Sequence, residues 1–382
     1  MRRCVPIIII VCILLSGCGL SGSIYANYRA IEALQPVQTL GLDRTDAGAS
    51  LTAAVSAAED GGAPTLLHRS AGTIRRAMDS LQDYTARGEL FFAHTQSIVL
   101  GTAYAEAGIR DVLDFAERDQ QMRLGTAMYV MRSGDAEALL TGTGDAGYDV
   151  TEVLAAVKRD LEKRGDSHVF TFRETAVALS ECGASLISAL SAAETEGSIF
   201  PETEGVTAVP AGYGILRGDR LAGFLEGREA EAASLLIGTL GTLPRSVPDG
   251  GGGEVTLAYG GRCTLTPQWN ADGSPAPLRV EAKLTAALAE PDTGRDDAVT
   301  QGAADALSAE IEAEIRRVLA LSQALDADFL GLTQILRRSS GENFAALPDG
   351  WLQALEFDVR AETELTHSYD LGAPVRTEGV RR

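Results

Sequence analysis

Two sets of side chains in this sequence could take part in catalysis or bind a metal ion, and the first is the histidines, of which His94 is the best candidate. His94 stands in a tight apolar context between two short predicted strands, in the segment Phe92-Ala93-His94-Thr95-Gln96. A histidine can act as a general base or as a metal ligand, but a second base or ligand must stand near it, and the sequence places none there. His68, His168 and His367 are scattered and lack metal-ligand spacing. We therefore expect His94 to be a structural residue.

The second group is a run of charged residues that could bind a metal ion. It comprises Asp111, Asp114, Glu117, Arg118 and Asp119. In a helix Asp114, Glu117 and Arg118 share one face, and Arg118 can pair with Asp114 four residues before it. We expect a solvated or interface face of ion pairs here, in preference to a metal site.

Glycine-rich segments and serines give no further catalytic pattern. Neither Gly142–Gly147 nor Gly250–Gly253 is followed by the Gly-Lys-Ser/Thr ending of a phosphate-binding loop, and we predict that both are plain loops. No serine lies in the Gly-x-Ser-x-Gly context of a nucleophile elbow. The sequence therefore predicts a protein that is not an enzyme, with no catalytic residue, no cofactor and no metal.

The N-terminus carries the clearest chemical signal of the chain. Arg2 and Arg3 precede an apolar run, Ile7–Leu15, and Ser16-Gly17-Cys18 follows it, which is the pattern of a secretory signal peptide. The run is too short to span a bilayer, which takes about 20 residues. The Leu-Ser-Gly-Cys ending resembles the lipobox of bacterial lipoproteins. This resemblance implies that the sulfur of Cys18 takes a diacylglycerol and that cleavage makes Cys18 the new N-terminus.

We therefore predict a signal peptide at 1–17, lipidation at Cys18, and a lipidated leader or linker at 18–27. Two or more acyl chains such as palmitate, at about 0.8 kcal/mol per buried CH₂, hold a domain on a membrane where one chain would not. The alternative is an ordinary cleaved signal peptide with a chance cysteine. Both alternatives predict that the protein is exported from the cytoplasm.

Composition and charge narrow the classes of partner. The chain has 382 residues and a net charge of −20, and loss of the two N-terminal arginines takes the mature form to −22. So acidic a chain argues against nucleic-acid binding and against peripheral attachment to anionic lipid. Attachment to a membrane would have to be covalent.

Two cysteines remain beyond the signal peptide and Cys18. Cys182 lies on an apolar helical stripe with Leu179 and Leu186, and Cys263 lies on the apolar side of an alternating strand. Both positions are typical of small buried apolar residues. A disulfide between them is permitted outside the cytoplasm, and the sequence leaves it open.

Hydrophobic periodicity predicts an α+β (mixed α/β) fold, with antiparallel or mixed sheets and helices packed on one face. We expect an N-terminal region at 28–200, divisible near 141–150, and a C-terminal α+β domain at 205–382, because Pro201 and Pro210 bracket a weakly periodic acidic segment. Among the elements we predict a strand pair with a turn near Asp43–Gly48, a helix over Ser70–Thr85 capped by Ser70, a helix over Thr151–Lys163 and a helix over Phe172–Ala193. In the second half we predict a hairpin over Tyr213–Leu225, a loop over Pro244–Gly253, an alternating strand over Leu278–Leu288 and a helix over Ala303–Leu325.

A series of segments along the chain carries a resemblance to one known family. They are the lipobox cysteine, Glu32-Ala33-Leu34, Gly41-Leu42-Asp43, Phe92–Gln96, Ile98–Gly101, Gly108–Asp119, Gly212–Leu225, Leu278–Leu288, Glu310–Arg338 and Trp351. In their order and spacing, over roughly residues 15 to 370, these segments resemble the spore germination Ger(x)C proteins.

This resemblance implies a mixed α/β fold in three structural domains and no catalytic residues. It implies a lipoprotein C subunit of a nutrient germinant receptor, anchored by lipid on the outer face of the cytoplasmic (spore inner) membrane. Its implied partners are the membrane-embedded A and B subunits. Its implied role is nutrient-triggered spore germination.

Two other classes of protein compete with this hypothesis. A solute-binding lipoprotein of a transporter is the alternative, but its two α/β lobes would show regular strand–helix alternation, whereas the second half of this chain shows long alternating strands. A secreted hydrolase lacks a recognisable catalytic constellation.

Overall fold

The structure is a computed structural model of the whole chain. It describes residues 34–46, 48–55, 64–83, 85, 88–119, 121–194, 205–248, 253–289 and 297–366, with the side chains of 297–300 excepted. The predicted signal peptide at 1–17, the leader at 18–27, Cys18 and His367 lie outside the described residues.

The first half of the described chain builds a nine-stranded mixed sheet. Its strands run in the order β3-β2-β1-β5-β6-β7-β8-β9, and β4 pairs with one end of β1. The strands are β1 (Leu34–Thr45), β2 (Gly48–Val55), β3 (Thr65–Ala71), β4 (Glu89–Phe91), β5 (Ser97–Leu100), β6 (Ala127–Met131), β7 (Ala184–Glu194), β8 (Val206–Arg217) and β9 (Arg220–Leu225).

The centre of this sheet is parallel and its two sides are antiparallel hairpins. Strands β1, β5, β6 and β7 run parallel, while β2–β3 and β8–β9 form the flanking antiparallel pairs. The predicted strand pair with a turn near Asp43–Gly48 is confirmed as β1 and β2. The predicted hairpin over Tyr213–Leu225 is confirmed as β8 and β9.

Helices cover both faces of the large sheet, because its central strands are apolar on both sides, as buried parallel strands require. One face packs against α1, α2, α3 and α6, and the other against α4 and α5. These helices are α1 (Ile74–Asp83), α2 (Thr102–Ala107), α3 (Arg110–Arg118), α4 (Ala136–Asp145), α5 (Val150–Arg164) and α6 (Phe172–Cys182).

A second sheet of four strands follows in the order β10-β11-β12-β13, with its helices on one face. Its strands are β10 (Leu243–Pro248), β11 (Glu254–Thr266), β12 (Leu278–Leu288) and β13 (Phe357–Leu365). The accompanying helices are α7 (Gly227–Ile237), α8 (Asp297–Ala324), α9 (Leu332–Ser339), α10 (Gly341–Ala345) and α11 (Trp351–Ala354).

Strand alternation in the second sheet separates a buried face from a wet one. In β12 Leu278, Val280, Ala282, Leu284 and Ala286 are buried and the residues between them face outward. Strands β10, β11 and β12 are antiparallel, but β13 joins β12 in parallel, so this sheet is mixed. The α+β class, with mixed sheets, is confirmed. The helices lie on one face of the second sheet, as predicted, but on both faces of the larger sheet, because its central strands are buried on both sides.

The two sheets share one apolar core through α7. Leu186 of β7 and Tyr213 of β8 belong to the same buried cluster as the helices of the second sheet. The Tyr213 hydroxyl is 2.7 Å from Ser234 Oγ of α7, and Ser234 Oγ also donates to the carbonyl of Asp166 at 2.9 Å. The division at 200–205 stays a prediction, and the strands on either side of it, β7 and β8, pair within the larger sheet.

Four element predictions are wrong in part. Ser70 does not cap α1, because it pairs within β3, and Thr73 Oγ1 instead accepts the Arg76 N–H at 3.3 Å. The helix predicted over Phe172–Ala193 ends at Cys182, because Gly183 adopts φ +68° and β7 follows.

The other two corrections concern predicted loops. The segment Gly142–Gly147 is mostly the end of α4, where a Cβ at Gly142 would collide with the Val206 side chain, so the glycine permits close packing on β8. The segment Pro244–Gly253 begins as strand β10, whose Leu243, Arg245 and Val247 are buried.

No helix in the described part of the chain is long and apolar enough to cross a membrane.

Candidate functional site

Helices α1 and α3 form a charged groove on the surface of the larger sheet. The groove has a volume of about 370 Å³, and the buried Ile74 and half-buried Phe115 form its apolar part. Arginines and aspartates line the rest, namely Arg75, Asp111, Asp114, Arg118 and Asp119. The predicted acidic cluster, except Glu117, therefore lines this groove, which we call the α1–α3 groove.

The charges of this groove are arranged as ion pairs. Arg75 Nε is 3.1 Å from Asp79 Oδ1, and Arg75 also reaches Asp119 Oδ2 at 3.2 Å, which joins α1 to the end of α3. Arg118 lies 3.7 Å from Asp114, the pair predicted from helical spacing. This confirms an ion-pair face. Because these side chains are mostly exposed, their pairs contribute little to stability and are available to a partner.

Within the described residues, no three His, Cys, Asp or Glu side chains come together in a way that could hold a metal ion. His68 Nδ1 lies 3.3 Å from Glu137 and His168 Nε2 lies 3.2 Å from Glu174, so each histidine pairs with a different carboxylate.

His94 lies in a single 3₁₀ turn, Phe92–His94. Its side chain is exposed, and its ring centroid is 5.5 Å from that of Phe91. Gln121 connects the turn to the groove, because its Oε1 accepts the Phe92 N–H at 3.2 Å and its own N–H donates to Asp119 Oδ1 at 2.8 Å. The prediction of tight apolar surroundings for His94 is therefore wrong on the side of the residue that faces solvent.

Asp43 is a structural residue whose role the sequence did not reveal. It is buried at the end of β1, where Oδ1 accepts the Ala136 N–H and Oδ2 the Glu137 N–H, each at 2.8 Å. It therefore caps the N-terminus of α4. Burial raises the pKa of Asp43, although the two backbone hydrogen bonds oppose that rise. The signal in the sequence was an aspartate directly after Leu40-Gly41-Leu42, inside strand β1.

A buried charge cluster at the centre of the second core was also missed. Arg245 of β10 donates to both carboxylate oxygens of Glu314 of α8, at 3.0 and 2.9 Å, and it also contacts Glu231 of α7. The hydroxyl of Tyr259 donates to Glu231 at 2.8 Å. The side chains of Arg245 and Glu314 are 4% and 1% exposed. Arg245 thus joins two helices to the sheet.

The charge of Arg245 is kept by this cluster. Burial works against the charged form, but the electrostatic effects of Tyr259, Glu314 and Glu231 and the hydrogen bond that Arg245 donates to Glu314 outweigh it and raise the pKa of Arg245. The signal in the sequence was an arginine on the apolar side of β10, between Leu243 and Val247.

Cys182 and Cys263 are both free and half-buried, at the end of α6 and in β11. Burial raises the pKa of the Cys182 thiol to about 11 and that of Cys263 to about 12. Both thiols are therefore protonated at neutral pH and poor nucleophiles. The sequence left a disulfide between them open, and in the structure both are unpaired. Each is half-buried, at a position that the sequence predicted to be buried.

Side chains of α8 cover the outer edge of β13. Glu312 Oε1 accepts the Ala361 N–H at 2.9 Å, and Arg316 donates to the Val359 carbonyl at 2.7 Å. Glu312 and Arg316 are themselves 3.8 Å apart. Occupied edge groups of this kind prevent another strand from pairing there. An edge-strand docking surface is therefore not available at these residues of β13.

Comparison with known proteins places these features in a class. One family model, described as the spore germination protein N-terminal domain, matches residues 27–181, and a second, described as spore germination B3/GerAC-like, C-terminal, matches residues 211–369. The charged groove and the two-sheet core thus belong to a spore germination protein. The chain is a member of the Ger(x)C family, which is a family of germinant-receptor subunits and not a known enzyme family.

One solved structure has a similar fold. It is described as the crystal structure of the GerBC protein, with a TM-score of 0.56 and 17% sequence identity. The similarity covers 85% of this chain and 96% of that one. At this identity the likeness shows a shared fold. Among curated proteins, none matches the chain.

Proposed function

We propose that this chain is the lipid-anchored C subunit of a spore nutrient germinant receptor. In this role it supports or couples to membrane-embedded A and B subunits without catalysing a reaction. Cys18 is the lipid attachment site, and the folded domains lie on the outer face of the spore inner membrane. The chain is divided at 200–205 into N- and C-terminal parts, as the sequence predicts.

The observation that carries this proposal is the ordered match of two germination-family models over both halves of the chain. The Leu-Ser-Gly-Cys sequence before the fold supports the anchor. The α1–α3 groove, with its exposed ion pairs, supports a role in binding other proteins. Two of the segments that resemble the family, Phe92–Gln96 and Gly108–Asp119, are joined there by hydrogen bonds of Gln121.

The α1–α3 groove is the surface we propose for contact with the membrane-embedded subunits. Charged side chains at a rim govern partner choice and rates of association more than affinity. Substitution of Glu for Arg75 and Arg118 would place a negative charge beside the aspartates with which they pair, namely Asp79, Asp119 and Asp114. It would also repel a partner whose negative groups face these two arginines in the wild type. Arg76→Glu, at the next position of the same helix, is the control, because Arg76 is exposed but does not line the groove.

Germination tests the proposed function directly. Spores of the source organism carrying Cys18→Ala, a full deletion, or the wild-type gene are compared over a panel of nutrients and with a non-nutrient trigger. We expect both mutants to lose refractility slowly or not at all with one nutrient class, while the non-nutrient trigger remains effective.

A normal response of the deletion strain to every nutrient, in a background without paralogous receptors, would contradict the receptor role. Normal germination of Cys18→Ala alongside a defective deletion strain would contradict the anchor and leave the receptor role supported. The two parts of the proposal can thus fail separately.

A further inference from the structure

A small cavity lies between α5 and the beginnings of β5 and β6, away from the α1–α3 groove. It has a volume of about 270 Å³ and is on the opposite face of the large sheet. Its floor is formed by paired residues Ser97 and Ala127 and by Tyr129, two residues further along β6. Successive turns of α5 contribute the wall, namely Leu154, Ala155, Lys158, Arg159 and Glu162.

Tyr129 is the unusual member of this cavity. The residue is 0% exposed, and its hydroxyl has no hydrogen-bond partner among the described residues. Buried hydroxyl groups are almost always paired, since an unpaired one costs free energy. Burial, together with the charge of Glu162, raises the pKa of Tyr129, so the hydroxyl keeps its proton and can donate it. Tyr129 and Glu162 both line the cavity.

The two basic side chains of the cavity are weakly engaged. Lys158 has one ion pair, to Glu162 at 3.9 Å, and both of these side chains are largely exposed, at 41% and 60%. Arg159 is exposed and has no ion pair within the described residues. An exposed pair of this length holds its members loosely, so an incoming group could displace Glu162 from Lys158.

We propose that this cavity binds the oxyanion group, a carboxylate or a phosphate, of a small solute. The hydroxyl of Tyr129 donates to the anion, and Lys158 and Arg159 supply the positive charge. Charge-assisted hydrogen bonds of this kind are the strong ones, and two cations outweigh the single Glu162 in an otherwise acidic protein. The site is independent of the receptor role and of the α1–α3 groove.

Binding is measured on the mature full-length protein in detergent micelles, by calorimetric titration with inorganic phosphate and with succinate. Chloride at equal ionic strength is the reference. We expect at least one of the two anions to bind with a single site, and Tyr129→Phe to weaken that binding about tenfold, the effect of one lost hydrogen bond to a charged group.

Matched variants separate this site from general effects. Tyr104→Phe removes another buried hydroxyl without a partner, outside the cavity, and leaves binding unchanged. Lys158→Gln and Arg159→Gln weaken binding, whereas Lys163→Gln, which removes the same charge from the same helix, does not. Since the Tyr129 hydroxyl has no protein partner among the described residues, Tyr129→Phe should fold as stably as wild type, which thermal unfolding without added anion verifies.

Two results would overturn the proposal. One is that neither anion binds to the wild type, and the other is binding that Tyr129→Phe, Lys158→Gln and Arg159→Gln leave unaltered. If the wild type binds vesicles of phosphatidylglycerol but neither free anion, the first result holds and the basic residues are assigned to a lipid surface.

Discussion

The carboxylate of Asp43 fills the space that a side chain at Gly101 would need, near the ends of strands β1 and β5. A Cβ atom on residue 101 would collide with Asp43 Oδ1, and Ala136 N would be 3.4 Å away from that Cβ. The same Asp43 oxygen accepts the Ala136 N–H that opens α4. The absence of a side chain at Gly101 therefore permits a carboxylate of β1 to cap a helix 93 residues further along the chain.

Gly101→Ala is expected to destabilise the protein by about 1–3 kcal/mol, because the Cβ would displace a buried and hydrogen-bonded carboxylate. The measurement is urea unfolding at neutral pH. Gly125→Ala is the control, since a methyl group added there would have no atom within 4 Å and little change is expected. Equal stability of the two variants would mean that Asp43 does not require the space.

Gly241→Ala should destabilise the junction between the two sheets. Gly241 lies between α7 and β10, where its N–H donates to the Gly165 carbonyl at 3.1 Å, and an added Cβ would collide with the Arg164 carbonyl oxygen. Neither backbone can move freely, so we expect a loss of about 1–3 kcal/mol. Gly341→Ala, at an open position, is the control.

The junction variant also tests how the halves unfold. Hydrogen exchange of amides in β7 and β11 should accelerate together in Gly241→Ala, because α7 joins both sheets into one core. Acceleration limited to β10 and β11 would show that the second sheet opens alone.

Arg245→Met should cost about 3–5 kcal/mol, because it leaves Glu314 buried with its nearest remaining cation, Arg228, at 3.9 Å. The double variant Arg245→Met/Glu314→Leu should recover much of this loss, since it removes the uncompensated charge. Urea unfolding of wild type, both single variants and the double variant gives the coupling energy. Additive effects in the cycle would contradict a buried pair.

Glu174 predicts a dependence of stability on acid pH. Burial would raise its pKa, but hydrogen bonds from the Thr171 side chain and backbone, together with His168, lower it overall. A depressed folded-state pKa stabilises the protein above the unfolded value, near 4.5, and this contribution is lost as the pH falls through the folded value.

Glu174→Gln is therefore expected to be less stable than wild type at pH 7, by about 1 kcal/mol at most because the side chain is 46% exposed. The difference in stability between the two proteins should shrink as the pH falls below the pKa of a free glutamate carboxyl group, near 4.5. Thermal unfolding of both proteins between pH 7 and pH 3 measures it, and a gap that stays constant with pH would count against the capping box.

Hydrophobic periodicity predicted the elements whose buried and exposed faces follow from the spacing of their own residues. The strand β12, with alternating buried and wet residues, and the helices α5 and α8 have the expected positions, because local spacing alone fixes their faces. The ion pair of Asp114 and Arg118 was likewise predictable, since both residues lie on one helix.

Features that depend on distant residues were not predictable. The segment Ala184–Glu194 is rich in alanine, serine and leucine, which suit a helix as well as a strand, and pairing with β6 and β8 decides its form. Asp43 and Arg245 looked like a turn residue and a loop residue, since their partners at Ala136 and Glu314 are many residues away. The Tyr129 cavity needs β5, β6 and α5 together.

Purification of the tagged chain from spore membranes in mild detergent tests the central claim most directly. We expect the wild-type protein to bring down membrane-embedded A and B subunits, identified by mass spectrometry. Arg75→Glu/Arg118→Glu should recover much less of them than Arg76→Glu does. Recovery of the folded, membrane-extracted wild-type chain without either subunit would contradict its assignment as a receptor subunit.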